Sequence, residues 1–166
     1  MANPISGRNM MTEVKKHFDP LIPDCREHPD YEGCIAEKMF CKFLTEGFSY
    51  DDISNHPDYT VYASAEMLAF MLPLIIDEML TRSDTDNYLI RPIIISIDPF
   101  IERMADPIKE QTYMIYDKRF HDMVPLISKA AIEKFLAFIS AIWDEQPMMV
   151  SQLQRIKSYW EHRLLQ

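Results

Sequence analysis

Scarcity of glycine constrains this chain more than any other feature. Gly7, Gly33 and Gly47 are the three glycines among 166 residues, whereas an average protein contains roughly 7%. Hairpin turns depend on residues that tolerate positive φ, so a sheet-rich fold would be short of turn residues. Phosphate-binding loops also need glycine, and neither a P-loop nor a dinucleotide fingerprint occurs. The sequence therefore predicts helices and disfavours nucleotide-binding enzymes.

Length and composition extend this prediction to the whole chain. A chain of 166 residues is the size of one domain with a real hydrophobic core. Twelve methionines suit helices, because unbranched side chains lose little rotamer freedom there. We expect an all-α fold, a single-domain irregular helical bundle of about 6–8 helices with a proline-kinked central helix. Residues 1–10 are predicted to be a flexible arm, and residues 11–166 a single helical domain.

The stretch MLAFMLPLIIDEML, residues 67–80, is the most apolar in the chain. Its unbroken apolar run covers ten residues, Met67 to Ile76, but a membrane-spanning helix needs about twenty. Ser64 is a candidate N-cap. Pro73 removes a backbone donor and predicts a kink near Ala69. The pattern therefore indicates a kinked core helix packed on several sides, and no membrane span.

Apolar spacing predicts further helices on both sides of this one. The segment from Asp30 carries two apolar rows spaced by four and ends before Gly47, which predicts an amphipathic helix. A helix of one or two turns is expected at SYDDIS. Residues 88–97 are isoleucine-rich, so helix and strand both stay open, with helix favoured. The last two helices are predicted to begin at Pro125 and Pro147.

Negative charge is concentrated in the first half of the chain. The formal net charge is −9; residues 1–83 carry 7 basic and 14 acidic side chains, and residues 84–166 carry 10 and 12. This charge repels phosphate backbones, which disfavours nucleic-acid binding, and attracts a basic protein partner. The predicted partner-binding residues are Asp51, Asp52, Asp58, Asp84 and Asp86. With no secretory signal at the N-terminus, a cytoplasmic location is expected.

One group of residues has a composition suited to a metal. Cys25, His28, Cys34 and Cys41 are ligand types that zinc prefers. If Cys34 and Cys41 share the helix predicted above, they are separated by about 10.5 Å of helical rise, whereas two thiolates on one zinc lie within about 4 Å. The cysteines are therefore predicted to be buried structural residues, and no metal site is predicted. Whether these four residues ever bind a metal stays open.

Local motifs for catalysis are missing from the sequence. Nucleophilic catalysis needs a serine or cysteine that folding brings near a base, and neither G-x-S-x-G nor H-E-x-x-H occurs. No catalytic residue and no cofactor are predicted. A small hydrolase or a metal-dependent enzyme that uses carboxylates and histidines remains the alternative. The histidines are His17, His28, His56, His121 and His162.

The arrangement SAEMLAFMLPLIIDEML followed by MVPLISKAAIEKFLAFI resembles an uncharacterised bacterial helical domain family with a Leu-Pro core helix. Leu72-Pro73 and Phe135-Leu136 carry the resemblance, which covers roughly residues 50–145. The family's glutamine is replaced here, where Ala130 or Ala131 stands. Some members of that family are similar to small immunity proteins of toxin systems. The resemblance implies a helical fold, a bacterial origin and an immunity-type role, and offers no catalytic residues.

The hypothesis favoured by the sequence is a non-enzymatic, acidic binding protein. It is of the immunity or antitoxin type and neutralises a basic toxin domain by occluding its active site through surface complementarity. A third possibility is a structural homo-oligomer joined through the C-terminal helix, where Trp160 and Leu164 continue an apolar row.

Overall fold

The computed structural model describes residues 31–57, 60, 63–84, 88–99 and 117–166. Within these ranges the protein is all-α and contains no strand, which confirms the predicted fold class. The chain divides into two units, Met1–Ser49 and Tyr50–Gln166. The predicted arm, residues 1–10, lies outside the described residues, and a single domain over residues 11–166 stays a prediction.

Seven helices occur in the described ranges, joined in part by short 3-10 turns. They are α1 Tyr31–Glu46, α2 Tyr50–Asn55, α3 Ala65–Arg82, α4 Ile90–Ile97, α5 at residues 117–123, α6 Lys129–Ile142 and α7 Val150–Leu164. The 3-10 turns are Val124–Leu126 and Pro147–Met149. Residues 100–116 lie outside the described residues.

The first unit contains α1, the amphipathic helix that the spacing predicted. Phe40 and Phe43 are buried on one face, while Lys38 and Lys42 are exposed on the other. Gly47 has φ +99° and donates its backbone N–H to the Phe43 carbonyl at 3.0 Å. A left-handed residue just past the last turn is the usual glycine stop of a helix, so the prediction of this terminus is confirmed.

In the second unit, α3 is the buried helix that carries Pro73 in its interior. Ser64 caps its start by accepting a hydrogen bond from the Met67 backbone N–H at 3.3 Å, as predicted. The helix stays regular on both sides of Pro73, whose ring nitrogen has no hydrogen to donate to the Ala69 carbonyl. Nine residues of α3 are buried, including Met71, Leu72 and Ile75. The helix containing a central proline is confirmed, and the kink itself stays a prediction.

Residues 90–97 form a helix, α4, which resolves the ambiguity in favour of the helical interpretation. Pro92 is the third residue of the helix, where the N–H that proline lacks would have no partner within the helix. Ile93, Ile94 and Ile97 are buried. Because the helix is covered on most of its circumference, burial outweighs the weak preference of isoleucine for strands.

The start of α6 differs from the prediction. Pro125 lies in a 3-10 turn, and α6 begins at Lys129, after Ser128. The Ser128 hydroxyl accepts a hydrogen bond from the Ala131 backbone N–H at 3.1 Å. The predicted beginning at Pro125 was therefore wrong by four residues. A serine before the first turn can accept a hydrogen bond from a backbone N–H that has no partner within the helix, and proline cannot. Similarly, Pro147 opens a 3-10 turn, and α7 begins at Val150.

The core of the second unit is formed where α6 contacts both α3 and α7. Phe135 and Trp160 meet edge to face with ring centroids 5.0 Å apart, and Phe120 of α5 lies 5.9 Å from Trp160. Near the surface, the Lys134 ammonium of α6 pairs with the Asp77 carboxylate of α3. These packed aromatic rings fix α5, α6 and α7 relative to one another.

Both serine caps are expected to contribute measurably to stability. Ser64→Ala and Ser128→Ala each remove the acceptor of a first-turn N–H, and loss of such a cap costs about 1 kcal/mol. We expect each variant to lower the free energy of unfolding in urea by that amount with an unchanged denaturant slope. Ser140→Ala, on the exposed side of α6, is the control and is expected to differ from the parent by less than about 0.5 kcal/mol.

Candidate functional site

Two helix ends bring predicted partner-binding residues together in the second unit. Asp51 stands in the first turn of α2, and Asp84 lies two residues beyond the end of α3. The chain turns at Ser83, which has a left-handed conformation with φ 52° and ψ 36°. Its N–H and that of Asp84 bond to the Leu80 and Met79 carbonyls at 3.2 and 2.9 Å. Since α2 contacts α3, the start of one helix meets the end of the other.

Arg82 and Tyr50 organise this group of charges. The Arg82 Nη1 atom lies 2.6 Å from Asp51 Oδ1, and its Nε donates to Glu78 Oε2 at 3.1 Å. The guanidinium carbon lies 4.7 Å from the centroid of the Tyr50 ring. The Tyr50 hydroxyl donates to Asp84 Oδ2 at 2.9 Å. We call Tyr50, Asp51, Glu78, Arg82 and Asp84 the acidic cluster.

Electrostatically, the acidic cluster is negative and open to solvent on one side. Three carboxylates against one guanidinium give a formal charge of −2 for its residues. Tyr50 is 3% exposed, whereas the Asp51 and Arg82 side chains are 74% and 44% exposed. The hydrogen bond to Asp51, with the weaker one to Glu78, raises the pKa of Arg82 above its ordinary value, so the guanidinium stays charged.

Such exposed ion pairs contribute little to stability, about 0–1 kcal/mol each. Carboxylate oxygens at such a surface can accept hydrogen bonds from lysine or arginine side chains of another molecule. No serine, cysteine or histidine is among the five residues of the cluster.

The five residues predicted for partner binding have different outcomes. The structure brings Asp51 and Asp84 into one cluster, and Asp52 lies half-buried beside Asp51 in α2. Asp58 and Asp86 lie outside the described residues. The sequence prediction missed Tyr50, Glu78 and Arg82. The spacing of four between Glu78 and Arg82 was a usable signal for an ion pair on a helix, whereas nothing in the sequence pointed to the Tyr50 hydroxyl.

The enzymatic alternative depends on histidine and carboxylate side chains that could bind a metal ion or act in catalysis. Within the described residues, no three or more histidine, cysteine, aspartate or glutamate side chains are grouped so that they could hold a metal ion. His56, His121 and His162 are exposed. The His121 Nε2 atom lies 3.6 Å from Oδ1 of Asp117, one turn earlier in α5. The His162 Nε2 atom lies 3.0 Å from Nε2 of Gln166. His17 and His28 are outside the described residues.

The cysteine group can be tested in part. Cys34 and Cys41 share α1, so about 10.5 Å of helical rise separates their backbones. The prediction that both cysteines lie in one helix is confirmed. This separation is too large for both thiolates to bind one zinc ion. Cys41 is buried. Cys25 and His28 lie outside the described residues, so metal binding by the complete group stays open.

The homo-oligomer alternative depended on Trp160 and Leu164 of the C-terminal helix α7. Trp160 is fully buried inside the second unit, and its Nε1 donates to the Ile97 carbonyl at 2.8 Å. It is therefore unavailable to a second copy. Leu164 is half-buried, and Leu165, just past the end of α7, is exposed.

Comparison of the chain with protein-family models, with curated proteins and with solved structures gave no match. The resemblance carried by Leu72-Pro73 and Phe135-Leu136 thus remains an expectation from the sequence. Among the described helices, none has both the length and the apolar character that crossing a membrane requires.

Proposed function

We propose that this chain is a non-enzymatic binding protein whose acidic cluster contacts a basic protein partner. The observation that carries the proposal is the convergence of Asp51, Glu78 and Asp84 around Tyr50 and Arg82, with carboxylates open to solvent. The proposed mechanism is occlusion: the negative surface attracts a positive one, and contact covers the partner's site without any chemical step.

Charge distribution supports a basic partner in preference to a neutral one. The chain carries −9 overall, and −7 of that lies in residues 1–83. Complementary potentials accelerate encounter and select against partners of the same sign. The narrower form of the proposal is an immunity- or antitoxin-type protein that covers the active site of a basic toxin domain; it rests on this charge and on the resemblance described above.

Geometry of the acidic cluster adds a second element of support. Tyr50 is buried and tied to Asp84, while Arg82 is held by two carboxylates and the tyrosine ring. Side chains that are held before contact lose less conformational entropy when a partner binds. A positioned set of carboxylates therefore favours specific recognition over diffuse attraction.

The decisive experiment compares two variants of equal charge. Asp51→Asn, Asp52→Asn and Asp84→Asn together remove three negative charges from the region of the acidic cluster while keeping acceptor oxygens. Glu133→Gln, Asp144→Asn and Glu145→Gln remove three exposed charges from α6 and the turn after it, and serve as the matched control. Tagged parent and variants capture partners from a lysate of the source organism, with stepwise salt elution and mass spectrometry.

We expect a basic protein that the parent and the control capture in equal amounts and that salt releases. The cluster variant should bind it at least about threefold more weakly, because three charge pairs at an interface rim are each worth about 0.2–1 kcal/mol. Its affinity should also depend less on salt. Equal capture by all three proteins, or no basic protein on the parent, would contradict the proposal.

A further inference from the structure

Met148 is an apolar side chain placed almost completely in solvent. It is 96% exposed and stands in the 3-10 turn Pro147–Met149, between α6 and α7. Among the other described methionines, Met149 is half-buried, and five are 8% exposed or less. These are Met39, Met67, Met71, Met79 and Met123. Packing therefore accounts for those methionines and does not account for Met148.

We propose that the Met148 thioether is an oxidation site for hydroperoxides. With hydrogen peroxide, the sulfur lone pair attacks one oxygen, an S–O bond forms and the O–O bond breaks, and the leaving hydroxide takes the proton of the sulfur-bound hydroxyl to become water; an organic hydroperoxide would leave as its alcohol in the same way. With hydrogen peroxide, the thioether is oxidised by two electrons to the sulfoxide, and the peroxide is reduced to water. Because the sulfur must be reached by the oxidant, exposure selects Met148 over the buried methionines.

Backbone bonds hold Met148 in this exposed position. The Gln146 N–H donates to the Ile142 carbonyl at 3.1 Å, and the Met149 N–H donates to the Gln146 carbonyl at 2.9 Å. These bonds tie the turn to the end of α6, and α6 packs on α7. The exposure of Met148 is thus a property of the folded chain that does not require local unfolding.

Consequences of oxidation differ between Met148 and the core. A sulfoxide at Met148 places its new oxygen in water, so the packed helices are unchanged. At Met71 or Met79, which are completely buried, the same oxygen would be buried without a partner and would destabilise the fold. Oxidation of Met148 therefore converts an apolar surface site into a polar one while the fold stays intact, and reductases that act on methionine sulfoxide can reverse it.

The test uses the native full-length chain treated with hydrogen peroxide in a time course. Peptide mapping with fragmentation separates Met148 from its neighbour Met149. We expect Met148 to be oxidised at least about tenfold faster than Met67, Met71 and Met79. The thermal midpoint of the protein oxidised at Met148 should equal that of the untreated protein. Met148→Leu should remove the oxidation at position 148 and leave the rates at the three core methionines unchanged.

Two results would overturn the inference. One is a Met148 rate no higher than that of the core methionines in the folded protein. The other is a fall in the thermal midpoint that accompanies the appearance of Met148 sulfoxide and is absent from identically treated Met148→Leu, because that fall would show a packing role for this side chain.

Discussion

Trp160→Ala should be among the most destabilising alanine substitutions in the second unit. Replacement of a buried aromatic side chain by alanine costs about 3–5 kcal/mol, which is a large fraction of the roughly 5–15 kcal/mol that stabilises a typical domain. Trp160 is fully buried, touches the Phe135 ring at a centroid distance of 5.0 Å and donates its indole N–H to the Ile97 carbonyl at 2.8 Å. Its loss leaves both a cavity and a carbonyl without that donor.

A milder substitution separates these two effects. Trp160→Phe keeps most of the aromatic volume and removes the indole N–H, so it should cost about 1–3 kcal/mol, the range for a buried acceptor left without its donor. Urea unfolding followed by circular dichroism measures both variants. Ser158→Ala, exposed on the same helix, is the control and is expected within about 0.5 kcal/mol of the parent. A Trp160→Ala cost below about 1 kcal/mol would contradict the assignment of Trp160 to the core.

Periodicity and cap residues were enough to predict most of the helices. Ser64 and Gly47 marked a start and a stop that the structure reproduces, because each satisfies backbone groups within a few residues of itself. The apolar row of α7, with Leu153, Ile156 and Trp160, is buried as its spacing indicated. Local signals of this kind are readable because cause and effect lie in the same helical turn.

Where the prediction failed, two local signals competed. Pro125 and Ser128 are both residues that favour a helix start, and the helix begins after Ser128, whose hydroxyl accepts a hydrogen bond from the Ala131 N–H. For residues 88–97 the sequence left helix and strand open; residues 90–97 are helical because they are buried on several sides, and that burial depends on neighbours far away in the sequence.

Only part of the acidic cluster could be predicted, because its members come from different helix ends. Asp51 and Asp84 were named from charge alone, but their meeting depends on how α2 packs on α3. The bond from the Tyr50 hydroxyl to Asp84 joins residues 34 positions apart, and no periodicity encodes such a contact. Charge patterns predict the sign of a surface, whereas tertiary packing decides which charges share it.

Gln152→Leu should also be strongly destabilising, by about 1.5–3 kcal/mol, the range for a hydrogen bond to a charged group. The Gln152 Nε2 atom donates at 2.6 Å to Oδ2 of Asp98, which is 2% exposed at the end of α4. Leucine has nearly the volume of glutamine but cannot donate, so a buried carboxylate would lose one of its donors. The bond joins α4 to α7, and its loss is expected to act on both helices.

Gln154→Leu provides the matched control for this prediction, since it makes the same substitution two residues later, at an exposed position of α7. Urea unfolding should show Gln152→Leu to be less stable than Gln154→Leu by at least about 1.5 kcal/mol. Combining Gln152→Leu with Asp98→Asn gives a double-mutant cycle, in which residues in direct contact should show a coupling energy of at least about 0.5 kcal/mol. Equal stability of the two leucine variants would contradict the role of Gln152. Additive effects in the cycle would instead show that its contribution does not pass through Asp98.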